Sequence, residues 1–256
     1  MWVITISSFK GGTAKTSTSL HIGAALARHH KQKVLLIDFD AQANLTSGLG
    51  YDPDAHDSLA PVLQRKKTIQ EVVLKTSVPN LFLIPADTWL ERIEVTEALA
   101  GDRYSHERLK ELLKSLKGFD TVIIDTPPSL CWLTESALIA SQFALVTATP
   151  EFYSVKGLQR LSQFLTSIGE RHTLDVLGIV LSFWNPRGKS NDAFLDVIEE
   201  TFPGKMLKAK VRRDISVSEA SVHGKSVFEI APSSRAAEDY TSLAKELLKR
   251  LQKCRK

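Results

Sequence analysis

Trp2-Val3-Ile4-Thr5-Ile6-Ser7-Ser8-Phe9-Lys10-Gly11-Gly12-Thr13-Ala14-Lys15-Thr16-Ser17 is the stretch that decides the fold. Trp2–Ile6 reads as a short apolar strand, and a helical pattern, Lys15–Arg28, follows the glycines and Lys-Thr. Strand, glycine loop, Lys-Thr and helix in that order build a phosphate cradle. Backbone N–H groups of the loop and helix N-terminus point at the phosphates, the lysine neutralises them, and the hydroxyl holds Mg2+. The spacing departs from the common G-x-x-x-x-G-K-[ST] pattern, because Phe9 and Ala14 occupy both of its glycine positions. It fits K-G-G-x-x-K-[ST] instead, with an extra lysine, Lys10, ahead of the glycines. One lysine suffices for phosphates held within the same chain. A second at the start of the loop asks for another task, such as reaching a nucleotide bound by a neighbouring subunit.

The other half of such a site stands downstream. Val34-Leu35-Leu36-Ile37 is an apolar run of the kind found in buried parallel strands, and it ends in Asp38-Phe39-Asp40-Ala41-Gln42. Thr121-Val122-Ile123-Ile124 repeats the design and runs into Asp125-Thr126-Pro127-Pro128. Carboxylates at strand ends beside a phosphate loop are placed to hold Mg2+ through its waters and to orient an attacking water. A single Asp after a strand also caps helices; three such pieces on three strands specify a site.

Taken together, Lys10–Ser17, Asp38–Gln42 and Asp125–Pro128 resemble the deviant Walker A ATPases, a P-loop family that includes ParA/Soj partitioning proteins, MinD and the nitrogenase iron protein. The ParA/Soj branch is favoured by Arg212-Arg213-Asp214-Ile215, by Ser218-Glu219-Ala220-Ser221-Val222-His223-Gly224-Lys225 and by Ser234-Arg235-Ala236-Ala237-Glu238-Asp239-Tyr240. The resemblance runs from about residue 2 to about residue 250.

Composition agrees. A chain of 256 residues, 43% hydrophobic, can bury one sizeable core, and a single domain over 1–256 is expected. No stretch approaches the roughly 18 apolar residues of a membrane span, and no basic-apolar-small leader is present. Cys131 and Cys254 lie too far apart in sequence for a disulfide framework, and two free thiols describe them better than a cluster ligand set. The expected compartment is the cytoplasm. Strands alternate with helices, so the fold class is α/β, a mostly parallel doubly wound sheet with helices on both faces. Further helices are expected at Glu91–Ala100, His106–Leu116, Leu133–Ser141, Leu158–Ile168, Ala193–Glu200 and Ala236–Leu251, and strands at Leu81–Ile84, Phe143–Ala148 and Leu174–Leu181. Asp52–Pro61, polar with two prolines, reads as a surface connection. Because the first motif begins almost at Met1, the N-terminal helix-turn-helix domain of some larger plasmid relatives is not expected.

Charge is uneven. Lys205–Lys256 carries 13 Lys+Arg against 6 Asp+Glu, while the rest of the chain holds 20 against 23. A basic C-terminal part points to an acidic partner, and the backbone of duplex DNA is the natural one. Lys205, Lys208, Lys210, Arg212 and Arg213 cluster most tightly; Lys245, Lys249, Arg250 and Lys253 are equally explained by a solvated helix face. Aromatic residues do not interleave with these cations, which gives base stacking little support.

The expected roles follow. Lys15 binds β/γ-phosphates with Gly11, Gly12, Thr13, Ala14 and Ser17 around it. Thr16 ligates Mg2+, and Asp125 holds a metal-bound water. Asp40 positions the attacking water, with Asp38 as the nearby alternative for water or metal. Lys10 crosses to the partner subunit, so that two ATP molecules are sandwiched in a homodimer. The resemblance further implies that Phe183 and Arg213 approach the adenine and that the ATP dimer coats nucleoid DNA without base specificity. A ParB-like partner then stimulates slow hydrolysis, driving plasmid or chromosome partitioning. Relatives use an arginine at the place of Arg187 and often a second where this chain has Ser216. Ala14 and Cys131 stand where the family usually has glycine. Two other readings stay open. A MinD-like membrane switch would use the stripe Leu243, Leu247, Leu248 and Leu251, although the stripe reads better as core packing and no stable membrane association is expected. A scaffold that holds ATP without hydrolysing it is the other.

Overall fold

The computed structural model describes residues 1–8, 10–95, 104–150, 155–188 and 191–254. Among these, eight strands form one sheet: β1 (Trp2–Ser7), β2 (Val34–Asp38), β3 (Leu74–Lys75), β4 (Leu81–Ile84), β5 (Thr121–Asp125), β6 (Phe143–Ala148), β7 (Asp175–Trp184) and β8 (Met206–Arg212). Their order is β3-β4-β2-β5-β1-β6-β7-β8, parallel throughout except for the short β3, which runs antiparallel to β4. The helices are α1 (Lys15–His30), α2 (Asn44–Gly48), α3 (Leu59–Leu63), α4 (Trp89–Val95), α5 (Arg108–Lys114), α6 (Trp132–Ile139), α7 (Val155–Gly169), α8 (Asn191–Thr201), α9 (Ile215–Val222), α10 (Val227–Ile230) and α11 (Arg235–Lys253).

Side chains alternate along each strand, and both faces are covered. Ile4, Ile6, Val34, Leu36 and Ile123 pack under α1 and α11. Val3, Leu35, Ile37, Val122 and Ile124 meet α5 and α6 on the other face, while Ala144, Val146, Ile179 and Leu181 meet α7 and α8. This is why the central strands read as unbroken apolar runs rather than as alternation. Helix α1 lies so close to β2 that a Cβ at Gly23 would come within 2.7 Å of Leu36. From β1 the chain winds first toward β2, β4 and β5, then crosses to β6, β7 and β8 on the other side. The loop after β1 therefore sits at the point where the winding reverses, the crevice where doubly wound sheets bind ligands.

The doubly wound sheet is the expected one, with differences at element boundaries. Helix α1 runs to His30 and β7 to Trp184, both beyond their anticipated ends. His106–Leu116 divides into a 3-10 turn, Ser105–Glu107, and α5. The helix expected over Glu91–Ala100 forms across Trp89–Val95, and residues 96–100 lie outside the described ones. Asp52–Pro61 is not all surface: Leu59 and Ala60 are buried and open α3, which Ser58 caps through the Ala60 N–H. The leucine stripe of α11 faces inward, with Leu243, Leu247 and Leu251 buried and Leu248 packed beside them. No helix among the described residues is long and apolar enough to cross a membrane.

Candidate active site

Three strand ends converge at the C-terminal edge of the sheet. In the register of the parallel pairs Asp38 lies beside Asp125, and Asp125 lies beside Ile6, just before the glycine loop. The loop is braced internally, since the Ser8 and Thr13 hydroxyls both donate to the Lys10 carbonyl and Thr13 Oγ1 meets Thr147 Oγ1 at 3.0 Å. Gly12 takes φ 75, the left-handed region that glycine enters without penalty. Ala14, directly before α1, takes φ 62 and ψ 31. Its methyl group sits there at a cost on the order of 1 kcal/mol, which the glycine usual at this position would avoid.

Lys15 is buried, and its ammonium donates to Ser8 Oγ at 3.0 Å. Burial lowers its pKa, against the opposing pull of Asp125 and Asp40. Thr16 Oγ1 donates to Asp125 Oδ2 at 2.7 Å, and one turn later Ser19 Oγ donates to Oδ1 at 2.8 Å. Asp125 is fully buried, and desolvation pushes its pKa up to about 6 despite those two hydrogen bonds and the Lys15 charge. Asp40 keeps 8% of its surface exposed, and its Oδ1 accepts the Gln42 N–H. Lys10 is exposed, and among the described residues no ion pair holds its ammonium; Gly11 and Ser17 lie in the same loop and first helical turn.

Asp38 has a different environment from Asp40. It is fully buried; Oδ1 accepts the Asp40 N–H, and Oδ2 accepts both the N–H and the hydroxyl of Thr46. Burial first, and the neighbouring Asp125 second, raise its pKa to about 7. The Asp40 turn and the first turns of α2 are thus fastened to Asp38, which is tied to backbone instead of standing open to water.

A cavity of about 410 Å³ begins at Ala14 and Ser17 and extends away from the glycine loop to the ends of β7 and β8. Phe183, Arg213, Val211, Val217 and Tyr240 are among the residues that line it. The Arg213 guanidinium lies 5.3 Å from the Phe183 ring centroid, and Phe183 itself holds φ 53, a strained value for an aromatic residue.

The basic residues separate in space. Lys205 and Arg212 stand at opposite ends of β8, roughly 20 Å apart at the rise of a strand. Lys205 is held by Asp175, with Nζ 2.9 Å from Oδ1. Arg212 is gripped by both oxygens of Asp239 and by Glu238, so its guanidinium, with the side chain 33% exposed, is already paired within the chain. Arg250 likewise departs from the solvated helix face, since it donates to the carbonyls of Leu177, Lys205 and Met206. Arg187 and Lys208 remain exposed, and Lys210 Nζ lies 3.7 Å from the Trp184 ring centroid.

The donors suit a nucleotide with Mg2+. Among the described residues no group of three or more His, Cys, Asp or Glu gathers to ligate a metal on its own. Asp125 with the Thr16 hydroxyl is the sparse oxygen set that Mg2+ takes when phosphates and waters complete its shell.

Known proteins agree with this geometry. Residues 1–177 match the AAA domain family. A ParA family protein of Chlamydia muridarum is 65% identical over 249 residues, covering 97% of this chain and 98% of the relative. The sporulation initiation inhibitor protein Soj of Bacillus subtilis is 34% identical, covering 96% and 97%. The septum site-determining protein MinD of Pyrococcus horikoshii, solved in complex with Mg-ADP, superposes with a TM-score of 0.79 at 27% identity, covering 96% of this chain and 95% of that one. On its glycine loop, its strand-end acids and these relatives, the chain belongs to the ParA/MinD family of P-loop ATPases.

Proposed function

We propose that this chain is an ATP-dependent dimerisation switch. In this reading its ATP-bound homodimer binds duplex DNA without base preference, hydrolyses ATP slowly and thereby drives plasmid or chromosome partitioning. The observation that carries it is the convergence of Lys15, Thr16, Asp125 and Asp40, next to a cavity of about 410 Å³ that the neighbouring Ala14 and Ser17 line. Mg2+, held by Thr16 and through water by Asp125, would neutralise phosphate charge. Lys15 grips the β/γ-phosphates together with the loop amides, and its burial strengthens that interaction by excluding water. Asp40 orients the attacking water. Asp38 acts one step back, fixing the Asp40 turn through its N–H. Lys10, exposed and free of ion pairs among the described residues, reaches the phosphates of the partner subunit. Phe183 and Arg213 flank the base. DNA contacts fall to Arg187, Lys208 and Lys210, a ParB-like protein stimulates turnover, and the ATP dimer localises to the nucleoid.

The test compares three variants for ATP affinity, ATP-dependent dimerisation and turnover. Lys15→Ala should abolish ATP binding. Asp40→Ala should bind ATP and dimerise while losing roughly 10²-fold or more in hydrolysis. Lys10→Ala should bind ATP yet stay monomeric. Unchanged turnover in Asp40→Ala would move the water-positioning role to another group, and ATP-driven dimers of Lys10→Ala would reduce that lysine to a surface charge.

A further inference from the structure

The end of β7 breaks the alternation of a regular strand. Leu181 packs toward α7 and α8, but the next two residues, Ser182 and Phe183, both line the cavity on the opposite side of the sheet. Phe183 holds φ 53 there. In the pairing with β8, Leu181 stands beside Lys210 and Trp184 beside Arg212, so β7 takes three steps where β8 takes two. This is a bulge, a device that re-aims side chains. Its consequence falls on Trp184. Regular alternation would send that ring to the cavity side, and the extra residue returns it to the face of α7 and α8, where it packs against their cluster. Lys210 projects from β8 to the same face, because Leu207 and Val211 fill the other one. Its Nζ lies 3.7 Å from the Trp184 ring centroid.

The manner of holding matters. On the same stretch of chain, Lys205 and Arg212 meet carboxylates, which cancel their charge. Lys210 meets a ring face, which attracts an ammonium without neutralising it. Arg187, on the loop that follows Trp184, and Lys208, on the same strand as Lys210, are both exposed. We propose that Trp184 is a positioning residue for DNA: it holds the Lys210 ammonium, ordered and fully charged, at the sheet edge for contact with a backbone phosphate. The inference rests on the DNA reading above and adds to it an aromatic residue that the fold brings to the cations. A free lysine gives up its rotamers on meeting a phosphate, whereas one already laid on a ring has less to lose. The ring thereby contributes affinity without touching a phosphate itself, and the number of counterions released stays the same.

The experiment is a double-variant cycle. Kd for unrelated duplexes is measured across a salt series on ATP-loaded wild type, Trp184→Leu, Trp184→Phe, Lys210→Ala and the Trp184→Leu, Lys210→Ala double variant, with Kd for ATP alongside. Leucine keeps the apolar packing against α7 and α8 and removes the ring. Trp184→Leu should weaken DNA binding about threefold to fivefold while keeping the wild-type salt slope, and Trp184→Phe should recover most of that loss. Lys210→Ala should flatten the slope by about one unit, and adding Trp184→Leu to it should cost nothing further. Equal losses from Trp184→Leu in both backgrounds would make the ring structural and overturn the proposal. No loss from Trp184→Leu would overturn it as well, as would an equal loss of ATP affinity. Wild-type slope and affinity in Lys210→Ala would remove the phosphate contact, and the proposal with it, while leaving Arg187 and Lys208 to carry DNA binding. A wild-type chain that binds no duplex overturns the DNA reading itself.

Discussion

His21, on the buried face of α1, ties the stability of this fold to pH. It is fully buried against Tyr240, its Nδ1 accepts the Val227 N–H at 3.4 Å, and burial alone lowers its pKa to about 3. In the unfolded chain the same imidazole titrates near 6.5, so between those values the unfolded state binds the extra proton. The contribution of the neutral ring is complete above about pH 6.5 and is lost as pH falls toward 3, at up to roughly 1.4 kcal/mol per pH unit. His21→Gln keeps an acceptor and removes the titration. In urea unfolding at pH 7.5, 6 and 5, the gap between wild type and variant should narrow steadily as pH falls. A gap that stays constant would place the titration elsewhere. The same scale shows which site residues the sequence reveals. Lys15, Thr16 and Asp125 are legible because strand ends and a glycine loop leave their side chains few other tasks. Ser19 is visible only once Lys15–His30 is wound into a helix, where its spacing from Thr16 puts both hydroxyls on one carboxylate. Asp38 and Asp40 look alike in sequence, and the structure separates them by the full burial of Asp38 and its hydrogen bonds from Asp40 and Thr46.

At the scale of elements, β8 is the instructive case. Met206-Leu207-Lys208-Ala209-Lys210-Val211-Arg212 alternates apolar and basic residues with the period of a half-buried strand, yet in sequence its cations stand out as a cluster. The strand spreads those cations along its length. As an edge strand it also needs its backbone covered, and α11 supplies the cover. Glu246 accepts the N–H groups of Lys208 and Ala209, Asp239 accepts that of Arg212, and Arg250 donates to the carbonyls of Lys205 and Met206. Glu246→Ala should therefore lower stability by about 1–3 kcal/mol and increase self-association through the uncovered edge. Denaturant midpoints and light scattering read the two effects, and an unchanged midpoint would mean that water replaces the carboxylate at no cost. A tighter contact joins the two sides of the site. Gly224, after α9, packs on Gly50, after α2, so closely that a Cβ at Gly224 would lie 2.4 Å from the Gly50 Cα. Gly224 also holds φ 62, so Gly224→Ala combines left-handed strain with a backbone clash. A loss of more than about 2 kcal/mol is expected, and a near-neutral melting shift would show that the two loops separate freely.

For the whole molecule, the question is whether a chain whose formal net charge is only +4 can hold DNA by charge alone. The answer depends on which cations are free, and the fold reduces the number. Arg212 and Lys205 are committed to Asp239, Glu238 and Asp175, and Arg250 to strand carbonyls. Arg187 on the loop after β7, with Lys208 and Lys210 on the sheet edge, forms the remaining set on which the proposed DNA contact rests. Because phosphates repel one another and are screened by salt, each contact formed on duplex DNA releases counterions and adds roughly −0.9 to the slope of log K against log salt. Arg187→Ala should therefore flatten the slope by about one unit and weaken all sequences alike. With Ser216 where the family resemblance implies an arginine, the lysines are expected to carry more of the proposed contact. The Lys208→Ala, Lys210→Ala double variant should accordingly flatten the slope by about two units and lose more affinity than Arg187→Ala. Lys205→Ala serves as the control, and its slope should match the wild type because that ammonium is already paired. Titrations of ATP-loaded protein with unrelated duplexes across a salt series would decide the matter. Full affinity in both test variants, a flattened slope in the control, or equally tight binding without ATP would each return these cations to the solvated surface.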